Sequence, residues 1–448
     1  MVDLLFILGA VYLFYGKTIF NGLCVDDVNL YNKYTAIDKR INFKDRFYGG
    51  FTFVWNRKVN LKLEHCFRVF LFSVACVLIH LAFGRNNISF CAALLYAFNP
   101  VNSQIALWLN ARRYLINIII VLLMMILGPI GLVLYPLTGF LQVGALFSFI
   151  LIWPWGPLAA SVLALFAGRH ILISFKNRFN RIPNNAKKQY TLKRSIVIVK
   201  CYGYYFFEMV FPRQRLFYDR LLYFWGITDE GNRDAYSFNF DFFKGLVAIL
   251  LTMALYIEFP GLYLIYMVLC MLQWSNFVTA TMTVADRYMS MPAVFMMYFL
   301  STLLHKYFGY YAFHIIIGLT VYYACVMRSA FPMFEDMYSF WRYHLWYDPR
   351  GVSARSFAIN EYILQKNYIK AFDLVTEGLN YRPNDFKFLT QAAVCYSHFR
   401  NYEESINCIN KAKTRIYHGQ EENLGRLLKQ LEDNVQEAIR VNDKAKKV

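Results

Sequence analysis

Charge is scarce in this chain. Asp, Glu, Lys and Arg supply 17% of its 448 residues, where an ordinary soluble domain carries about a quarter. With 58% hydrophobic residues, 19% aromatic residues and a mean hydropathy of +0.32, that scarcity excludes a protein whose whole surface meets water. Cysteine pairs at metal or redox spacing are missing as well. The nine cysteines are scattered, and none forms C-x-x-C. Most fall inside apolar runs, so they read as small buried hydrophobes and not as a disulfide framework or metal site. The N-terminus has no basic region, carries Asp3 and shows no small-residue cleavage pattern, so no cleaved leader is expected.

What is abundant comes in blocks. Apolar runs cover Leu4–Phe20, Cys66–Phe83, Ile88–Leu107, Tyr114–Leu127, Ile130–Trp153, Leu158–Phe175, Ser195–Phe211, Phe242–Glu258, Gly261–Phe277, Met291–Leu304 and Tyr310–Met327. A helix rising about 1.5 Å per residue crosses a hydrocarbon core of about 30 Å in about twenty residues. Eleven candidate spans therefore predict an all-α, polytopic membrane domain over residues 1–327.

Much of the net charge of +18 lies in loops that flank these runs, and nucleic acid is not an expected partner. Phe175–Arg194 carries Lys176, Arg178, Arg181, Lys187, Lys188, Lys193 and Arg194 and no acid. By the positive-inside rule this loop is cytoplasmic. Six spans precede it, so the N-terminus is expected in the cytoplasm. Asp26 and Asp27 then face the extracytoplasmic side, together with the C-terminus. Arg40, Lys44, Arg46, Arg57, Lys58 and Lys62 lie on that same side against the rule, and an anionic donor is the reason considered for them.

After Met327 the composition changes. Residues 328–350 are aromatic and charged, as at a membrane interface, and from Gly351 the pattern is soluble and helical. Asn367-Tyr368 recurs as Asn401-Tyr402, 34 residues later, with Ala371 matched by Ser405 and Leu374 by Cys408. Pro383 stands where the first unit must stop. That period, with small residues at a helix-packing position, is the tetratricopeptide signature. The apolar positions of Glu421–Val441 predict a capping helix. A generic helical hairpin is the bland alternative. The domain 351–448 is expected to bind a protein partner.

Four polar clusters interrupt the apolar runs, all at extracytoplasmic span ends in this topology: Asp26-Asp27; Glu64-His65 with Arg68; Asn99-Pro100-Val101-Asn102 through Trp108, Asn110, Arg112 and Arg113; and Asp286-Arg287-Tyr288. Carboxylates and arginines at one depth suit an acid–base on one substrate and a phosphate clamp on the other. Singly, each also reads as structural: a snorkelling arginine or a helix-ending Asn-Pro. No metal-ligand spacing appears, so a metal-independent site is expected, although an acidic pair can hold one ion.

The order Val25-Asp26-Asp27, then Asn99-Pro100-Val101-Asn102 to Trp108 and Arg112-Arg113, then Asp286-Arg287-Tyr288-Met289-Ser290-Met291-Pro292, then the 34-residue units resembles the transmembrane and tetratricopeptide repeat-containing O-mannosyltransferase family and its bacterial relatives, which are GT-C glycosyltransferases. The likeness covers nearly the whole chain. Asn99 and Asn102 stand where the family has histidines, Arg113 and Tyr114 where it has Lys and Asp, Asp286 where it has Glu, and Ser290 where it has Tyr. The resemblance implies inverting transfer of a sugar from a polyprenyl or dolichyl monophosphate carrier to a protein or glycan hydroxyl. It implies Asp26 as general base and Asp27 as its orienting or acceptor-binding neighbour. Arg112, Arg113 and Arg287 are assigned to the donor phosphate, and His65 to the acceptor or leaving group. Asn99, Asn102, Trp108, Asp286 and Tyr288 are expected to line the site. The lipid-linked sugar is a substrate, and no further cofactor is expected. A bacterial inner membrane is preferred to an endoplasmic reticulum.

Other classes stay open. The lost histidines keep alive a non-catalytic membrane anchor whose repeats gather partners. A polysaccharide polymerase or ligase usually keeps its key residues in a large late external loop, and Pro212–Asp241 is modest. A transporter would place charges at mid-membrane, whereas these lie at span ends.

Overall fold

The computed structural model describes residues 2–23, 54–55, 58–137, 192–212, 238–259, 261–272, 286–347, 352–414 and 421–445. These residues are mostly helical, and the strands among them form a two-rung antiparallel ladder, β1 (Val54–Trp55) with β2 (Lys58–Val59), in the register Val54–Val59 and Trp55–Lys58. The chain forms two compact units, Met1–Met337 and Tyr338–Val448.

In the first unit, α1 (Val2–Tyr15) runs into a 3₁₀ turn, Gly16–Phe20. Then come α2 (Leu61–Ala82), α3 (Asn87–Phe98), short α4 (Ser103–Leu107), α5 (Arg112–Leu127), α6 (Leu192–Val210), α7 (Phe240–Glu258), α8 (Leu262–Leu272), α9 (Ser290–Phe308) and α10 (Ala312–Ser329). Helix α3 lies at the centre, packed by α1, α2, α9 and α10. Its small residues Ala92, Ala93 and Ala97 are fully buried, so its neighbours approach closely. Asn86 opens α3 with a reciprocal capping box to Ser89.

Among the described residues, Val2–Phe20, Leu61–Ala82, Phe240–Glu258 and the stretch Arg287–Phe334 are long and apolar enough to cross a membrane. A fifth crossing exists if Pro100–Leu107 and Arg112–Leu127, bent by 110°, form one broken span. Most of Ile130–Trp153 and all of Leu158–Phe175 lie outside the described residues.

Helix α7 shows what kind of surface this unit has. Its large apolar side chains Phe243, Leu250, Met253 and Ile257 point outward, and Gly245, Ala248 and Thr252 are its buried face. That inversion suits a lipid solvent, in which small residues let helices meet and a hydroxyl bonds across them. Thr252 Oγ1 lies 2.8 Å from Tyr202 Oη on α6.

The second unit contains α11 (Met337–Tyr347) from Tyr338 onward, α12 (Val352–Leu364), α13 (Tyr368–Tyr381), α14 (Phe386–His398), α15 (Tyr402–Lys413) and α16 (Glu421–Ala445). From α12 to α16 each helix packs against the next. Positions 34 apart occupy equivalent places. Lys366 and Arg400 take φ of +58° and +62°, and Asn367 and Asn401 then cap α13 and α15 through their side-chain oxygens. Ala371 and Ser405, Val375 and Ile409, and Gly378 and Ala412 are all buried. Cys395 and Cys408 sit in this core, and burial pushes the Cys395 thiol up to about 11. A groove of about 270 Å³ between α11, α12 and α13 is lined by Trp341, Tyr362 and Leu374, with Arg342, Lys370 and Asp373 around it.

Candidate functional site

Buried charge in the first unit gathers at the N-terminal end of α2. Asn60 accepts from the Leu63 amide and starts the helix. Its first two turns then present Glu64, His65 and Arg68, each no more than 1% exposed. A buried carboxylate or guanidinium in a candidate span is costly and is expected to be partnered. Glu64 Oε2 accepts from Arg112 Nη1 at 2.9 Å, and Arg112 is itself 2% exposed. Arg68 donates through Nη1 to the Leu107 carbonyl and through Nη2 to Thr18 Oγ1, the latter at 2.8 Å. The His65 imidazole faces the backbone of Asn21 and Gly22, and neither ring nitrogen makes a well-formed hydrogen bond there. The Gly22 amide in turn donates to the Glu335 carbonyl at 2.7 Å.

The Asn99-Pro100 segment ends α3, because the fixed ring of Pro100 cannot continue the ladder. Asn99 Oδ1 caps the following turn at the Val101 amide (2.9 Å), and its Nδ2 donates to the Met209 carbonyl of α6 (2.7 Å). Asn102 Nδ2 donates back to the Tyr96 carbonyl at 2.7 Å. Both asparagines are fully buried, and both tie the corner to its neighbours. After α4 the chain breaks again at Trp108 and restarts at Arg112.

The 3₁₀ turn Asp286–Met289 packs against this corner. Arg287 Nη1 donates to Gln104 Oε1 at 2.9 Å. Its guanidinium lies over three rings, 4.9 Å from the centroid of Tyr288, 5.2 Å from Trp108 and 5.9 Å from Tyr114. Delocalised and weakly hydrated, a guanidinium suits such faces and keeps its fork directed.

Of the candidate residues, His65, Asn99, Asn102, Trp108, Arg112, Arg287 and Tyr288 are therefore buried in one connected region built from α2, the broken segment 99–112 and the turn before α9. Arg112 meets a carboxylate within this region. Arg113 is exposed, and its guanidinium lies over the Tyr114 ring at 5.4 Å. Asp26 and Asp27 lie outside the described residues, three and four positions beyond Leu23, and so does the side chain of Asp286. Among the described residues no three His, Cys, Asp or Glu side chains converge as metal ligands.

Gln104 and Thr18 were not expected at this site. The available signal was an amide two positions after Asn102 and a hydroxyl inside an apolar run, where a polar group needs a partner.

No protein-family model, no curated protein and no solved structure matches the chain.

Proposed function

We propose that this chain is a membrane glycosyltransferase of the GT-C kind. It takes a sugar from a polyprenyl or dolichyl monophosphate and gives it to a protein or glycan hydroxyl on the extracytoplasmic side. In this reading the membrane domain has eleven spans, the second unit is a tetratricopeptide array that holds a protein partner, and the host membrane is a bacterial inner membrane.

The observation that supports it best is the meeting of Arg287, Gln104 and Trp108. Two motifs 183 residues apart join to hold a guanidinium against rings at the end of a candidate span. A lipid phosphate with an attached sugar needs a directed fork for its oxygens and aromatic faces beside it. Asp26 takes the proton of the acceptor hydroxyl. The acceptor oxygen forms its bond to the anomeric carbon as the bond from that carbon to the phosphate oxygen breaks. Attack opposite the leaving group inverts the anomeric centre. The departing polyprenyl phosphate carries the new negative charge, which Arg287 stabilises.

A second reading, a non-catalytic scaffold, is favoured by the groove of the second unit, whose Arg342, Lys370 and Asp373 offer both signs of charge around an apolar floor. The two are separated with full-length protein in lipid nanodiscs and a panel of polyprenyl-phosphate sugars labelled in the sugar. Release by wild type that is lost in Asp26→Asn or Asp27→Asn establishes the transferase and names the donor. A folded wild type that neither binds nor releases any sugar turns the assignment to the scaffold.

A further inference from the structure

Glu64 and Arg68 stand one turn apart on α2, so they share a face. Each is bonded to one lip of the same break. Glu64 holds Arg112, the first residue of α5, at 2.9 Å. Arg68 holds the carbonyl of Leu107, the last residue of α4. The same guanidinium reaches Thr18 in the turn that ends the first candidate span (2.8 Å), and Thr18 Oγ1 is anchored by donating to the Tyr15 carbonyl at 2.6 Å. Between the lips lies Trp108, and one turn before them lies Gln104. Both touch Arg287.

An unbroken helix through this region would satisfy its own backbone and would need no charge. The chain instead interrupts the helix and holds the interruption with three buried ionic side chains. In a membrane, irregular backbone is tolerated only where protein satisfies it or where it lines a cavity, and a helix C-terminus leaves carbonyls such as that of Leu107 without an internal partner. We propose that Glu64 and Arg68 are positioning residues. They fix the bend between α4 and α5 and join it to the end of the first span, and so place Trp108 and Gln104 around Arg287. The distance part of this inference stands apart from the proposed transfer. Only its kinetic part rests on that reading.

The test uses full-length protein in nanodiscs with genetically encoded spin labels at Phe20 and Arg113, both exposed, and pulsed dipolar distances between them. Wild type gives one narrow distance. Arg68→Lys keeps the charge but replaces a two-armed fork with one nitrogen, and it broadens the distribution. Thr18→Val removes one arm only and does the same to a smaller extent. If Arg68→Lys fails to fold, Thr18→Val decides alone. An unchanged distribution in a folded variant overturns the inference.

Where wild type releases sugar, Arg68→Lys lowers kcat by at least about tenfold, the scale on which small misplacements act, and leaves KM for the donor within about twofold. Broadening with unaltered kcat overturns the positioning role. Broadening in a protein that releases no sugar sinks the transferase reading and leaves the clamp standing.

Discussion

Arg287 and Gln104, 183 residues apart in the chain, are joined by a 2.9 Å hydrogen bond between fully packed side chains. The amide oxygen takes one arm of the guanidinium while Tyr288, Trp108 and Tyr114 cover its faces. Gln104→Leu removes one hydrogen bond to a charged, buried guanidinium, at a cost of about 1.5–3 kcal/mol. Applied to donor binding or turnover, that is a loss of about tenfold in labelled-sugar release. Arg287→Lys gives up the fork and the ring contacts together, and release falls by about a hundredfold. Wild-type kinetics in either variant would remove Arg287 from the donor site.

The crossing of α6 and α7 makes a second prediction. A Cβ built on Gly245 would overlap the Val199 carbonyl oxygen, and one on Gly203 would lie 2.5 Å from the Gly245 Cα. Backbone stands on both sides, so neither contact is relieved by a side-chain rotation. Gly245→Ala should force the helices apart and cost about 1–3 kcal/mol. The thermal midpoint in a fixed detergent then falls by several degrees. Gly318 on α10 has nothing within 4 Å of the same added atom, and Gly318→Ala is expected to leave the midpoint unchanged or slightly raised. Equal behaviour of the two alanine variants would show that the close approach does not hold the helices.

Local punctuation was legible in the amino-acid order, and distant pairing was not. Asn-Pro at 99–100 ends a helix by the chemistry of the proline ring itself, and the structure breaks there. The apolar run Phe242–Glu258 becomes α7 because its length and composition are set by neighbours in sequence. The spacing of Asn367 and Asn401 is visible as two caps after two positive-φ residues. The partners of the charged residues carry no such signal. Glu64 and Arg112 are 48 positions apart, and nothing periodic connects them. Gln104 sits in a run whose other members are mostly apolar, so its role becomes visible only when Arg287 arrives from another helix. The acidic pair Asp26 and Asp27 lies outside the described residues.

His344 supplies a pH-dependent prediction away from the candidate spans. It lies on α11, 4% exposed, with Nδ1 donating to the Phe340 carbonyl at 2.8 Å and its ring 4.4 Å from that of Phe340 and 6.0 Å from that of Trp341. Burial among these groups pushes its pKa from the ordinary 6.5 down to about 4, against the opposing pull of the Phe340 carbonyl. The folded chain therefore binds fewer protons than the unfolded one between those values. Its contribution to stability is complete above pH 6.5, falls as the pH drops below that value, and is gone below about 4. At about 1.4 kcal/mol per pH unit, the loss at pH 5 is about 2 kcal/mol. Hydrogen–deuterium exchange of peptides from α11 and α12, corrected for intrinsic rates, reads this directly. Wild type should lose about tenfold or more in protection between pH 7.5 and pH 5, whereas His344→Leu, which cannot take up the proton, should lose far less. Parallel loss in both would place the acid sensitivity of this unit elsewhere than in the burial of His344.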